Sequence, residues 1–145
     1  MVGYSKGALE VFNLQTGEHS GSFIDPSPSF SSVVGVVIDR RNHLSADIDD
    51  STCKIWFFMS RQIKARIKLS IKPTQMEINR ESSLIAIAGC GRIFIIDLDT
   101  NKTIRCFCEN ESSAITDICL SHDARWVLAA SDDSFIRMWD LPSSR

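Results

Sequence analysis

Short apolar stretches, broken by polar turns at nearly even intervals, run the length of this 145-residue chain. Alternation of apolar and polar positions, weak over residues 8–14 and strict over 62–69, predicts half-buried strands there, and a short strand is expected over 19–24 after the turn. Continuous apolar runs, Val33-Val34-Gly35-Val36-Val37-Ile38 within 32–39 and Leu84-Ile85-Ala86-Ile87-Ala88-Gly89, predict strands covered on both faces. Further strands are expected over 44–49, 52–58, 74–79, 92–98, 103–108, 114–120, 126–130 and 136–141. Between them stand turn sequences such as Gln15-Thr16-Gly17, Arg40-Arg41-Asn42, Gly89-Cys90-Gly91, Asp99-Thr100-Asn101 and Ser121-His122-Asp123-Ala124. The prolines of Asp25-Pro26-Ser27-Pro28-Ser29 cannot donate to a sheet ladder, so this stretch is expected as a loop.

One strand pattern is written four times: Leu9-Glu10-Val11-Phe12-Asn13-Leu14, Cys53-Lys54-Ile55-Trp56-Phe57-Phe58, Ile93-Phe94-Ile95-Ile96-Asp97-Leu98 and Ile136-Arg137-Met138-Trp139-Asp140-Leu141. Taking Phe12, Trp56, Ile96 and Trp139 as equivalent gives spacings of 44, 40 and 43 residues. A period of roughly 40–45 residues ending on a Trp-Asp strand marks a β-propeller, whose closed rings need roughly 4–8 four-stranded blades. The chain therefore reads as all-β, about three and a half four-stranded antiparallel blades whose ring does not close. The expected organisation is 1–24 as the last strands of a blade, 30–69 and 72–108 as complete blades, and 112–141 as the first three strands of a fourth. A half ring leaves two flat blade faces uncovered.

Composition narrows the possibilities. With 43% apolar residues, 23% charged residues and a formal charge of −2, the chain reads as a soluble globular protein without a dominant nucleic-acid surface. No apolar run approaches the roughly 20 residues that span a bilayer, and Met1-Val2-Gly3-Tyr4-Ser5-Lys6 lacks a signal-peptide core, so an intracellular protein is expected. A local excess of positive charge lies at Arg61, Lys64, Arg66, Lys68 and Lys72. Strict alternation over 62–69 puts Lys64, Arg66 and Lys68 on one face, opposite Ile63, Ala65, Ile67 and Leu69. That face is expected to be a solvated outer strand guarded against edge pairing, the alternative being a weak RNA or partner contact. Asp47, Asp49 and Asp50 lack the ordered spacing and glycine of a calcium loop and are expected in a solvated turn. Five cysteines, at 53, 90, 106, 108 and 119, form no zinc pattern; Cys106 and Cys108 share a strand face, as core fillers or as a pair of soft ligands.

Residues 121–140, from Ser121-His122-Asp123 through Asp132-Asp133-Ser134 to Met138-Trp139-Asp140, resemble a WD repeat along its full length. The resemblance implies a network of a His before the first strand, a Ser or Thr in the second, an Asp in the next turn and the Trp. Trp139 and Asp133 would take the last two roles and Ser131 the second, while Glu109-Asn110 stands where Gly-His is usual. Trp56, Asp97 and Asp140 occupy Trp-Asp positions, but the other blades lack most of the network.

No recognised catalytic motif surrounds any nucleophile, and no cofactor or metal site is expected. Gly89-Cys90-Gly91 precedes a strand rather than a helix and is a hairpin turn, not a phosphate loop. A non-catalytic binding scaffold is the favoured reading. The run from Gly3-Tyr4-Ser5-Lys6-Gly7 to Gln15-Thr16-Gly17, followed by His19-Ser20-Gly21-Ser22-Phe23, is similar to the tandem-propeller WD-repeat subunits of the small-subunit processome, the UTP-B group. Asp123-Ala124-Arg125-Trp126 through Trp139-Asp140-Leu141-Pro142-Ser143 fits the same family, within its second propeller. That resemblance implies a nucleolar scaffold for pre-rRNA processing, joined to other WD-repeat and processome proteins. Contact with pre-rRNA or small nucleolar RNA would be weak or indirect, through exposed Lys and Arg, with no membrane and no small-molecule substrate. A generic WD-repeat adaptor in a cytoplasmic signalling or ubiquitin-ligase complex would show the same blades.

Overall fold

A computed structural model of the chain describes residues 2–3, 9–25, 32–41, 44–49, 51–108 and 112–142. Among these described residues there are fourteen strands: β1 (Val2–Gly3), β2 (Leu9–Phe12), β3 (His19–Phe23), β4 (Gly35–Ile38), β5 (Leu44–Ile48), β6 (Thr52–Phe57), β7 (Gln62–Lys68), β8 (Gln75–Asn79), β9 (Leu84–Gly89), β10 (Arg92–Asp97), β11 (Lys102–Cys108), β12 (Ile115–Leu120), β13 (Trp126–Ser131) and β14 (Ile136–Asp140). They form four antiparallel sheets, ordered β1-β2-β3, β4-β5-β6-β7, β8-β9-β10-β11 and β12-β13-β14, referred to below as blades 1 to 4. Strand β8 packs beside both β4 and β12, so the first strands of blades 2, 3 and 4 stand together at the inner edge of an unclosed ring. The one strand not expected from sequence is β1, whose two residues are too short to alternate.

Register makes the repeat a structural fact. Leu9 faces Phe23, Cys53 faces Ile67 and Ile93 faces Phe107, each pair fourteen residues apart. In each of these hairpins the ladder slips at the same place: between Val11 and Phe12, between Ile55 and Trp56, and between Ile95 and Ile96. The extra residue on the outer strand is Ser20, Lys64 or Ile104, at the 44 and 40 residue spacings read from sequence. A bulge of this kind bends its strand and raises the local twist. The turns before these outer strands also repeat, with Gly17, Arg61 and Asn101 in the left-handed region at φ of 71°, 58° and 59°. Glycine serves a different need in the β9–β10 hairpin. There Cys90 and Gly91 both take positive φ, as a two-residue turn of the primed type requires, and a Cβ on Gly89 would stand 2.1 Å from the Lys72 carbonyl oxygen.

The core lies between the blades. Leu9, Phe23 and Trp56 form one cluster between blades 1 and 2; Leu44, Ile48, Ile55, Ile85, Ile87 and Ile96 belong to a second between blades 2 and 3; Ile93, Ile95, Phe107, Ile118 and Val127 belong to a third between blades 3 and 4. Strand β9 serves two of these: Ile85 and Ile87 turn to blade 2, Ala86 and Ala88 to blade 4. That is why its sequence is continuously apolar.

The Trp position of blades 2 and 4 packs on the outer strand of the blade before it. Trp56 meets Phe23 edge to face, with ring centroids 5.3 Å apart and planes at 83°, and Trp139 stacks on Phe107 at 5.5 Å and 23°. At the middle seam the equivalent positions, Ile67 and Ile96, are both aliphatic and share one cluster. Large meets large and medium meets medium, which keeps the combined volume at these two places matched from seam to seam. Among the described residues no further sheet follows blade 4, and Ile136 and Met138 of β14 are exposed opposite Ala130 and Leu128.

Trp56 is 2% exposed, whereas Trp139 is only half-buried. Trp56→Ala should therefore cost about 3–5 kcal/mol, and Trp139→Ala clearly less. Urea unfolding of the two variants measures the difference; equal losses would contradict the seam packing described here.

Candidate functional site

Polar chemistry concentrates at the seams and on the turns above them. In β6 the residues alternate between two seams: Cys53 and Ile55 face blade 3, Lys54 and Trp56 face blade 1. Lys54 is thereby buried, its Nζ 3.2 Å from Asp49 Oδ2 and 3.4 Å from Asp25 Oδ2. Arg66 completes the group from the next strand, Nη2 lying 2.5 Å from Asp25 Oδ1. A buried cation persists only when paired, and here the pairing joins blade 1 to blade 2. Asp49 also accepts from Thr52 N at 3.1 Å, closing its own turn. The expectation of a solvated acidic turn is thus corrected for Asp49, which is 2% exposed; Asp50 and the Asp47 side chain lie outside the described residues.

The bulge at Lys64 corrects a second expectation. Ile63 lies opposite Trp56 and Ala65 opposite Ile55, so the alternation of β7 reverses at Lys64. Ile63 packs toward blade 1 while Ala65 and Ile67 pack toward blade 3. The three charges do not share a face: Arg66, opposite Lys54, joins the blade 1 side, and Lys64 donates across to the Leu98 and Asp99 carbonyls of blade 3. Lys68 is exposed, opposite Thr52. Two of the three cations act as ties between blades.

The Asp of the Trp-Asp pair works as a turn cap. Asn13 Oδ1 accepts from Gln15 N at 2.9 Å and Thr16 N at 3.2 Å, and Asp97 Oδ1 accepts from Asp99 N at 2.9 Å. Asp140 stands 3.5 Å from Arg125. Blade 2 has Phe57 at this position, which offers no side-chain acceptor, and its turn is closed through backbone, Arg61 N donating to the Phe57 carbonyl at 2.8 Å.

In blade 4, Asp133 is gripped by Arg137, Nη1 to Oδ1 at 3.0 Å and Nη2 to Oδ2 at 2.7 Å. Ser113 Oγ donates to Oδ2 at 3.2 Å and Phe135 N to Oδ1 at 3.1 Å. These bonds, Arg137 foremost, lower the Asp133 pKa from 3.8 to about 2. Ser131 donates its backbone N–H to the Phe135 carbonyl at 3.1 Å. Asn110, the stand-in for the missing His, lies outside the described residues.

A cleft of about 640 Å³ opens between the turns of blades 2 and 3, with Arg41, Phe57, Lys64 and Arg80 in its walls. Cys106 and Cys108 are exposed on the edge strand β11 rather than in a core, and partial burial raises the Cys106 thiol pKa despite Arg92. Among the described residues no group of three His, Cys, Asp or Glu gathers to hold a metal.

Compared with known proteins, the chain matches over residues 1–145 the family described as the WDR36/Utp21 second beta-propeller domain. The chain belongs to this family. It is 34% identical over 99% of its length to human WD repeat-containing protein 36, of which it covers 16%. It is 32% identical, again over 99% of its length, to the U3 small nucleolar RNA-associated protein 21 homolog of Schizosaccharomyces pombe, covering 16% of that protein. The Saccharomyces cerevisiae U3 small nucleolar RNA-associated protein 21 is 29% identical over 98% of the chain, which spans 15% of it. The chain thus spans about one sixth of these relatives. Within this chain the repeat holds through register and seam packing while the Trp-Asp letters vary.

Sequence reasoning missed the Lys54 cluster, although one signal was legible: a lysine stands inside an otherwise apolar strand between Cys53 and Ile55. Two tests follow. Lys54→Ala removes the buried cation shared by Asp25 and Asp49 and should cost about 3–5 kcal/mol. Lys64→Ala, losing hydrogen bonds to backbone carbonyls, should cost about 1–2 kcal/mol. Comparable small losses in urea unfolding would contradict the buried pairing. Asp133 has a lower pKa folded than unfolded, so its stabilisation is complete above about pH 4 and vanishes as pH falls toward 2. Carboxyl NMR titration should give a midpoint near 2, moving back toward 3.8 in Arg137→Gln; an ordinary midpoint in the unaltered protein would refute the Arg137 grip.

Proposed function

We propose that this chain forms part of a non-catalytic scaffold of the small-subunit processome, acting in pre-rRNA processing and small ribosomal subunit biogenesis in the nucleolus. The observation that carries this reading is the family match along all 145 residues, together with fungal relatives named for association with U3 small nucleolar RNA. Physical features of the chain support the scaffold part. A propeller segment presents rigid turns from several blades, and rigid turns recognise partners without chemistry of their own. Many of its polar groups serve structure: the buried Lys54 cluster, the turn caps and the Asp133 pair each hold backbone or join blades. The partners of this reading are other WD-repeat and processome proteins, with RNA contact secondary because the chain carries a formal charge of −2.

Affinity purification of the tagged full-length protein tests the proposal. It should recover U3 small nucleolar RNA, pre-ribosomal RNA and other propeller subunits. Recovery of cytosolic signalling or ubiquitin-ligase partners alone would replace this reading with the generic adaptor.

A further inference from the structure

The cleft between blades 2 and 3 departs from the repeat in a way that stability does not explain. Phe57 fills the position where Asn13 and Asp97 cap their turns, and it offers the turn no side-chain acceptor. Its burial is only partial, the residue staying 45% exposed in the cleft wall. A residue that breaks the local rule with so little returned to the fold points to a role outside folding.

The charges around Phe57 sort into engaged and free. Arg40 is committed to Glu81, with Nη1 at 2.7 Å from Oε1 and 2.6 Å from Oε2, linking the two turns that flank the opening. Asp39 is buried and accepts from Leu44 N at 3.2 Å. Lys64 is spent on carbonyls of blade 3. Among the described residues, Arg41 and Arg80 are exposed cleft residues whose guanidiniums hold no ion pair or hydrogen bond. Two free guanidiniums beside an exposed aromatic ring are the composition of an interface centre, since Arg and aromatic residues are enriched there. The walls are held in advance by the Arg40–Glu81 and Lys64 ties, which lowers the ordering cost of binding.

We propose that this cleft docks an acidic linear segment of a partner protein, with carboxylates on Arg41 and Arg80 and a neighbouring apolar side chain against Phe57. A planar guanidinium suits a carboxylate through two parallel hydrogen bonds. A nucleic-acid strand suits the cleft poorly, because a phosphate backbone needs a longer run of cations than Arg41 and Arg80 supply and the chain carries a formal charge of −2. The proposal deepens the scaffold reading by naming the partner's chemistry, yet its test uses purified components and does not depend on which complex the protein joins.

The probe is a fluorescein-labelled peptide alternating Glu and Leu, measured by fluorescence anisotropy against the full-length protein, with a Gln-for-Glu peptide and an oligouridine as comparisons. The Glu-Leu peptide should bind and the other two should bind weakly. Arg41→Glu combined with Arg80→Glu should abolish binding. Phe57→Asp should weaken it about tenfold or more, the scale of losing one good contact. The Phe57 variant restores the turn-capping residue, so its melting temperature should not fall, which separates lost docking from lost folding. Binding unaffected by both changes, absence of peptide binding, or oligouridine binding that exceeds the peptide's and is lost in the arginine variant would overturn the proposal.

Discussion

Burial of each blade's flat apolar face against its neighbour is the interaction on which the rest of this structure depends, because each hydrophobic cluster is built from two adjacent sheets. The aromatic and aliphatic pairs at the seams show how it is tuned. A buried aromatic ring removes roughly 150–250 Å² from water, worth about 4–6 kcal/mol at 25 cal/mol per Å². An exposed ion pair such as Arg40 with Glu81 is worth at most about 1 kcal/mol. The seams therefore set stability, and the surface charges are available for recognition.

Matched seams also explain how the repeat tolerates degenerate letters. Phe23 with Trp56, Ile67 with Ile96 and Phe107 with Trp139 occupy the same two places, and what is kept is the combined fit rather than the Trp. The recurring bulge serves the same end. It turns the outer strand so that residues on both sides of the slip reach different seams, which lets one strand hold Ile63 against blade 1 and Ala65 and Ile67 against blade 3.

Charge follows from that backbone geometry. Lys54 is buried because its strand alternates between two seams; its partner Asp49 comes from the turn before β6, and its partner Asp25, from the end of blade 1, is shared with Arg66 of the strand after it. Lys64 and Arg66 leave their strand in opposite directions and clamp two different seams. Phe57 stands apart from this economy, and with Arg41 and Arg80 it makes the cleft the part of the surface least explained by folding.

The strands, the turns between them and the 44, 40 and 43 residue spacings were legible in the sequence, because period-two patterning and turn chemistry are local properties of the chain. The same reading located the Trp-Asp positions, and it identified Asp97 and Asn13 as repeats of one place in the strand. Alternation alone could not show that Lys64, Arg66 and Lys68 part company, since a one-residue bulge leaves no mark in residue type yet reverses every side chain beyond it. Nor could it bring Asp25 to Lys54, or Arg41 and Arg80 to one cleft, because those groups meet only when separate sheets pack. Sequence by itself determined a repeating all-β chain; the stacking of its sheets decided which charges are buried, which are clamps and which remain free, because burial and pairing are properties of the assembled seams and not of any one strand.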